Sequence, residues 1–240
     1  MIKRVFLPEE LERLPQKGVE AQKIRALLAA YGTNYDFCRF YVSENAILCE
    51  TDGSFVICEV GEIGDISELV DFLNFNGFSE IFCSEAVGNG LYDCLECDIH
   101  VVNQMRFCGI PASCSEVETE PPLDEVFGIL KTSFAIDYES WYVDMSHRIR
   151  HKVAGVRRLG GSVLTVQHDI NGEALLSQIA TRPEDRGQGS ASRLILAVCA
   201  ELCDSDVYVI CEDALSAFYQ RIGFEKAADK FIVTPKSKKL

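Results

Sequence analysis

Turn signals and apolar periodicity cut this chain into one order of elements that occurs twice. In the first half, Glu20–Ala30 has helical spacing, with Ile24, Leu27 and Leu28 on one side. Strand-like runs follow at Phe37–Val42, Ala46–Cys49 and Phe55–Val60, separated by Ser43-Glu-Asn and Asp52-Gly-Ser. Ile66–Phe75 then reads as an amphipathic helix, Ile81–Cys83 as a short strand and Ile99–Phe107 as a further one. In the second half, Leu123–Thr132 and Tyr138–Arg150 read as helices. Val153–Arg157, Val163–Gln167 and Ala174–Ala180 read as strands, with hairpin signals at Leu159-Gly-Gly and Asn171-Gly172. Helix Ser190–Leu202, strand Val207–Ile210, helix Asp213–Arg221 and strand Phe231–Thr234 complete the chain. Both halves therefore run helix, three antiparallel strands, helix, strand, which predicts a tandem arrangement with a short, divergent first copy. The repeat lies in element order and not in residue identity. Gly109–Pro122, with three prolines, a glycine and an acidic run, is the best boundary, giving domains over residues 1–115 and 120–240.

With 240 residues, 48% of them hydrophobic and 25% charged, the chain has the balance of a soluble globular protein with room for one large or two modest domains. The N-terminus carries no long apolar run of the signal-peptide kind, and no uninterrupted apolar stretch approaches the roughly 20 residues of a membrane helix. The expectation is a cytoplasmic protein without membrane association. Its eleven cysteines then read as reduced thiols, most of them inside apolar runs such as Ala197-Val-Cys-Ala. Cys94-x-x-Cys97-x-x-His100, followed by Cys108 and Cys114, is the one cluster with a metal-like look. Its second pair is spaced unlike a zinc knuckle and His100 falls in a predicted strand, so packing is the favoured reading and no metal is expected.

Charge is divided unevenly. Residues 1–120 carry eight basic and twenty-one acidic side chains, a net of −13; residues 121–240 carry fifteen and sixteen, a net of −1. A chain this acidic lacks the basic patches that engage nucleic-acid phosphates. An anionic ligand is better tolerated by the second half. The acidic half suits a cation, or is simply a solvated surface.

The sharpest local feature is Ile179-Ala-Thr-Arg-Pro-Glu-Asp-Arg-Gly-Gln-Gly-Ser-Ala-Ser192, between a predicted strand and a predicted helix. Gly187 and Gly189 remove side chains where the chain must turn tightly, and the amides of Gln188–Ser192 face outward at a helix N-terminus. Such an end binds phosphates, and Arg186 adds a full charge beside it. The segment is neither a nucleotide P-loop nor a dinucleotide fingerprint, because both fixed patterns are missing. An ordinary strand–helix turn is the bland alternative.

Arg186-Gly-Gln-Gly-Ser-Ala191 resembles the pyrophosphate loop of the GNAT superfamily of N-acetyltransferases, Arg/Gln-x-x-Gly-x-Gly/Ala, at every fixed position. About thirty residues on, Phe218-Tyr-Gln-Arg-Ile-Gly-Phe224 is similar to that family's Tyr-x-Lys/Arg-x-Gly-Phe segment. The likeness covers residues 120–234. It implies an α/β (α+β) fold with a mixed, mostly antiparallel central sheet flanked by helices. It also implies acetyl transfer from acetyl-CoA, as co-substrate, to a primary amine by direct attack. By the same likeness, amides at Gly187, Gln188, Gly189, Ser190, Ala191 and Ser192 would hold the pyrophosphate, with Arg186 beside them. The strand end Ile179, Ala180, Thr181 would pair with the pantetheine. Tyr219 would be the general acid on the departing thiolate, since a phenol pKa near 10 lies above that of a thiol. The family's frequent Asn about seven residues before this tyrosine is absent; Glu212 and Asp213 stand nearby, which weakens a CoA contact there. No general base is evident: Glu173 stands early on the central strand, and backbone carbonyls or a water chain are the alternatives.

On the acceptor side, Asp144, His147, Arg148 and His151 share one helical face at i, i+3, i+4 and i+7, in the segment that usually flanks the acceptor cleft in this superfamily. They read as substrate-binding or catalytic support, or as a salt-bridged helix face. Trp141 and Tyr142 either wall the cleft or belong to the core. The first half has Gly61-Glu-Ile-Gly-Asp where the loop would be, and two acids there would repel phosphate, so this half is not expected to bind CoA. A non-catalytic acyl-CoA-binding regulatory module is the main alternative to an enzyme, and a zinc-bearing interaction protein the third. The acceptor stays open among small amines, amino acids, aminoglycosides and protein N-termini, with a cationic amine suited to the acidic half. The oligomeric state is open too, a homodimer included.

Overall fold

The computed structural model describes residues 1–236. Its compact units are Met1–Asn103 with the chain from Ala228 on, and Gln104–Ala227. Among the described residues no helix is long and apolar enough to cross a membrane.

The first unit opens with strand β1 (Lys3–Arg4), helix α1 (Val19–Tyr31) and three strands, β2 (Cys38–Val42), β3 (Ala46–Thr51) and β4 (Ser54–Glu59). The strands form an antiparallel meander, with β1 on the free edge of β2. Asp52 and Gly53 make the β3–β4 hairpin at φ 49° and 81°, the pair of positive angles that matches the twist of two joined strands. Helix α2 (Ser67–Asn76) leads to β5 (Glu80–Ser84), which lies parallel to β4. Helix α3 (Glu85–Cys94), capped by the Ser84 hydroxyl accepting from the Val87 amide, precedes β6 (Cys97–Phe107). Sequence periodicity does not predict α3, because Gly88 and Gly90 weaken its helical signal. Gly88 is there for a distant reason: a Cβ on it would stand 2.2 Å from the Phe231 ring.

The second unit repeats the order. Helices α4 (Leu123–Leu130) and α5 (Tyr138–Arg150) precede strands β7 (Gly155–Leu159), β8 (Ser162–Ile170) and β9 (Glu173–Thr181), again an antiparallel meander. Asp137 starts α5 by accepting from the Ser140 amide at 2.9 Å. Helix α6 (Ser190–Glu201) leads to β10 (Asp206–Cys211), parallel to β9, and helix α7 (Asp213–Arg221) to the last strand, β11 (Phe224–Pro235). Strand β11 is far longer than Phe231–Thr234 because its polar stretch Glu225–Lys230 has no apolar alternation to read.

Both closing strands are shared out in a way the sequence does not disclose. The end of β11 pairs antiparallel with β5, from Lys230 opposite Ser84 to Val233 opposite Ile81, and Phe231 and Val233 join the core of the first unit around Leu48, Phe55, Leu73 and Leu91. The end of β6 lies beside β10, where Arg106 bonds Asp206 at 2.7 Å, and Met105 joins the core of the second unit. The unit boundaries therefore fall inside β6 and β11, not in Gly109–Pro122, and residues from Ala228 on belong with the first unit rather than with 120–240. Each fully buried Leu or Phe in these cores contributes about 1.5–3 kcal/mol.

Candidate functional site

Strands β9 and β10 of the second unit part midway along β9. Their parallel pairing runs from Glu173 opposite Asp206 to Leu176 opposite Val209 and goes no further. Just beyond, β9 bulges against β8. Thr165 faces Ser177 and Val163 faces Ala180, so Leu164 alone opposes both Gln178 and Ile179. Gln178 takes φ 47°, a left-handed conformation that costs a non-glycine residue about 1–2 kcal/mol. The bulge is tied down by side chains. The Thr165 hydroxyl donates to the Ser177 carbonyl at 3.0 Å, and the Trp141 indole donates to the Gln178 amide oxygen at 3.0 Å. At the strand end the Ser162 and Thr181 hydroxyls lie 2.8 Å apart. A second irregularity sits on β8 at Gln167, whose carbonyl accepts from the buried Arg148 guanidinium at 2.7 Å.

From Thr181 the chain enters a 3-10 turn over Pro183–Asp185, anchored by the Arg182 amide donating to the Gly161 carbonyl at 2.9 Å. The turn fits because Gly161 has no side chain: a Cβ there would stand 1.9 Å from Asp185 Oδ2. Gly187 and Gly189 follow, both at φ 78° with open space around them, so it is backbone conformation and not crowding that demands glycine. Gly189 is the N-cap of α6 and offers no side-chain cap. The first intrahelical bond runs from Arg193 N to Gly189 O, so the amides of Ser190, Ala191 and Ser192 have no acceptor within their own helix. Arg186 is exposed and folds back, with Nε on the Thr181 carbonyl at 3.1 Å and Nη2 on the Ser133 hydroxyl at 3.2 Å. It thereby links the loop to the strand end and to the α4–α5 connection. Helix α6 holds this loop rigidly through Leu194, Ile195 and Val198, packed with Leu164, Val166, Ala174 and Leu176 of the sheet.

Tyr219 lies on α7 in the same core, 7% exposed, its ring edge-on to Phe218 and Phe224 at 5.1 and 5.5 Å. Burial pushes its phenol well above the ordinary value, and the nearby Cys211 adds to the shift. Its hydroxyl therefore keeps its proton throughout the neutral and mildly alkaline range.

Helix α5 distributes its residues differently from one polar face. Trp141 and Arg148 turn inward onto the two bulges of the sheet. Asp144 pairs with Arg148 at 3.3 Å, which places both in a link between helix and sheet. His147 and His151 stack on each other with ring centroids 4.4 Å apart, and His151 is exposed. Tyr138 and Tyr142 lie outside, 5.5 Å apart, with Phe127 against Tyr138 and Trp141. Gln178, Thr165, Ser133 and Ser162 carry no sequence signal, since each acts through a partner distant in the chain. A cavity of about 620 Å³ opens elsewhere on this unit, lined by Ile149, Arg150, Val153, Val156, Glu201 and Leu202 among others, and no residue of Arg186–Ser192 lines it.

The cysteine cluster does not assemble. Cys97 is buried in the first unit, Cys94 is exposed, and Cys108 and Cys114 belong to the second unit. Among the described residues no group of three His, Cys, Asp or Glu side chains is placed to hold a metal ion.

No protein-family model and no curated protein sequence matches this chain. Solved structures do. A GCN5-related N-acetyltransferase from Kribbella flavida is similar with a TM-score of 0.65 at 13% identity, over 92% of this chain and 96% of that one. A GNAT-family acetyltransferase from Colwellia psychrerythraea is similar at 0.57 and 13% identity, over 98% of each chain. A tandem GNAT protein from the clavulanic acid biosynthesis pathway is similar at 0.56 and 12% identity, over 97% of each. The chain has the GNAT fold, a mixed α/β architecture whose strands pair largely antiparallel, with seven α-helices among the described residues.

Proposed function

We propose that this protein is an N-acetyltransferase that moves an acetyl group from acetyl-CoA to a primary amine by direct attack. The observation that carries the reading is the parting of β9 and β10 at Gln178, directly before a side-chain-free loop at the N-terminus of α6. A parallel pair that stops pairing leaves backbone of β9 to an extended ligand, as strand addition requires. The loop supplies amides and a helix dipole to a pyrophosphate at the ligand's other end. Gly187 and Gly189 fit that group because a phosphate must approach the backbone closely.

In this reading the amides of Gly187–Ser192 fix the diphosphate and β9 from Gln178 to Thr181 orients the pantetheine arm. The acceptor nitrogen forms a bond to the thioester carbonyl carbon while the carbon–sulfur bond breaks. Burial keeps the Tyr219 phenol protonated at neutral pH, so it has a proton to give to the sulfur as the carbon–sulfur bond breaks, and the phenolate regains one from solvent. The ammonium proton goes to solvent; Glu173, the candidate carboxylate on β9, is buried at the start of the strand opposite Asp206, before the parting. The net charge of −14 favours a cationic acceptor by drawing it in. All eleven cysteines are free thiols, seven of them buried, which suits a reducing cytoplasm.

Calorimetric titration of acetyl-CoA tests the cofactor. Micromolar binding by the wild type, lost in Gly189→Glu while the fold survives, supports the reading; a wild type that does not bind removes it. The burial of Tyr219 among Cys211 and Phe224 favours a second reading, a non-catalytic acyl-CoA-binding module. Tyr219→Phe separates the two. For an enzyme, turnover falls by about a hundredfold with acetyl-CoA affinity kept; turnover equal to the wild type leaves Tyr219 a packing residue.

A further inference from the structure

Helix α5 meets the sheet by side-chain hydrogen bond at its two irregular points, Trp141 at the β9 bulge and, two turns on, Arg148 at the β8 bulge. Of these, the Trp141 contact has the stranger partner. Gln178 is a non-glycine residue held at φ 47° in the middle of a strand, and such a conformation persists only where its surroundings over-determine it. The indole lies in the core formed by Val126, Ile129, Leu130, Met145, Val163 and Ala180, so it cannot move away from its acceptor. Thr165 holds the preceding carbonyl from the other side, and its own side chain is buried. Relaxing Gln178 to an extended conformation would take the extra residue out of the bulge and shift the register of Ile179–Thr181 by one. A one-residue shift reverses which carbonyls and amides face the parting from β10.

We infer that Trp141 is a positioning residue: through Gln178 it locks the left-handed bulge that aims the Gln178–Thr181 backbone at the pantetheine arm. This rests on the acetyl-CoA reading above, and the two can fail separately. Trp141 touches no part of the ligand in this account, so its effect runs only through the conformation of Gln178.

Glycine adopts positive φ without help, which gives the test its sign. The variants are Trp141→Phe, Gln178→Leu, Gln178→Gly and the double variant Trp141→Phe/Gln178→Gly. Two readouts are taken on each: acetyl-CoA affinity by calorimetry and amide exchange over residues 177–181 without ligand. Loss of the indole donor or of its acceptor should weaken affinity roughly fivefold and speed exchange, the expected size for one hydrogen bond. Gln178→Gly and the double variant, which reach positive φ without the contact, should recover most of the affinity lost in Gln178→Leu and in Trp141→Phe. A double variant as weak as Trp141→Phe would overturn the inference, for Trp141 would then be only a core side chain. So would Trp141→Phe and Gln178→Leu both binding with unchanged affinity. If Trp141→Phe does not fold, Gln178→Leu against Gln178→Gly makes the same decision with the core intact. A wild type that binds no acetyl-CoA sinks the cofactor reading and the aiming role together, and the exchange rates then decide the lock alone.

Discussion

The two units carry the same parting strands and do opposite things with them. In the second, β9 leaves β10 after Leu176 and Val209, and the helix that follows starts at a bare glycine. In the first, β4 leaves β5 after Val56 and Phe82, and side chains fill what comes next. Glu59 accepts from the Ser84 hydroxyl at 2.5 Å, and Lys230 of β11 pairs with Glu20 of α1 at 2.5 Å. The start of α2 is already occupied: the Asp65 carboxylate accepts from the Ser67 amide at 2.8 Å. A helix N-terminus attracts an anion wherever it occurs. Whether it serves a ligand is decided by whether the chain has supplied the anion itself.

The most damaging way to break this contrast is to give the second unit what the first one has. Gly189→Glu places a carboxylate at the N-terminus of α6 and should lower acetyl-CoA affinity by at least about a hundredfold, from repulsion and from strain at φ 78°. Next in size is an attack on the filled site. Glu20→Leu strands Lys230, whose side chain is only 12% exposed, and should cost about 3 kcal/mol, read from urea unfolding. Replacing both partners, as in Glu20→Leu with Lys230→Met, should recover most of that loss. If the single and double variants are equally destabilised, the ion pair is not what fills the first site.

The smallest effect concerns Asp65. The Ser67 amide, then the Ser67 side chain, hold its carboxyl below the ordinary range, and the group is fully exposed. A depressed pKa contributes stability that is present above the unfolded value near 4 and fades as pH falls through the folded one. Acid titration should therefore loosen the start of α2 below about pH 4 in the wild type, and Asp65→Ala should remove that dependence. Amide exchange at Ser67 measures it directly.

Much of this contrast can be read before any fold is known. The limits of α5 and α7 are those that periodicity and capping predict, Tyr138–Arg150 and Asp213–Arg221. The loop at Arg186–Ser192 stands out because two glycines with positive φ are a local demand that only local residues can meet. What stays hidden depends on remote partners. Gly88 and Gly90 look like turn formers, and only the Phe231 ring explains the first of them. Gln178 has no reason in its neighbours to be left-handed; its reasons are Trp141 and Thr165. Trp141 itself can be read as cleft wall or as core, and its burial places it in the core with its polar edge committed. The polar stretch of β11 becomes a strand because of the strands beside it, a decision no window of its own sequence contains.

The last strand has a consequence for how the chain must be made. Cys83 and the Phe231 carbonyl meet across 148 residues, so the first unit is completed by residues that follow the second unit in the chain. On the ribosome the first half emerges early and waits with the edge of β5 unpaired, an open template for wrong partners until β11 has been made. Proteolysis or a premature stop between Phe224 and Lys230 would spare the glycine loop and strip the first unit of its closing strand. The tandem can be translated in halves but cannot mature in halves, and a chaperone that shields β5 would be protecting a vacancy reserved for a later strand of the same molecule.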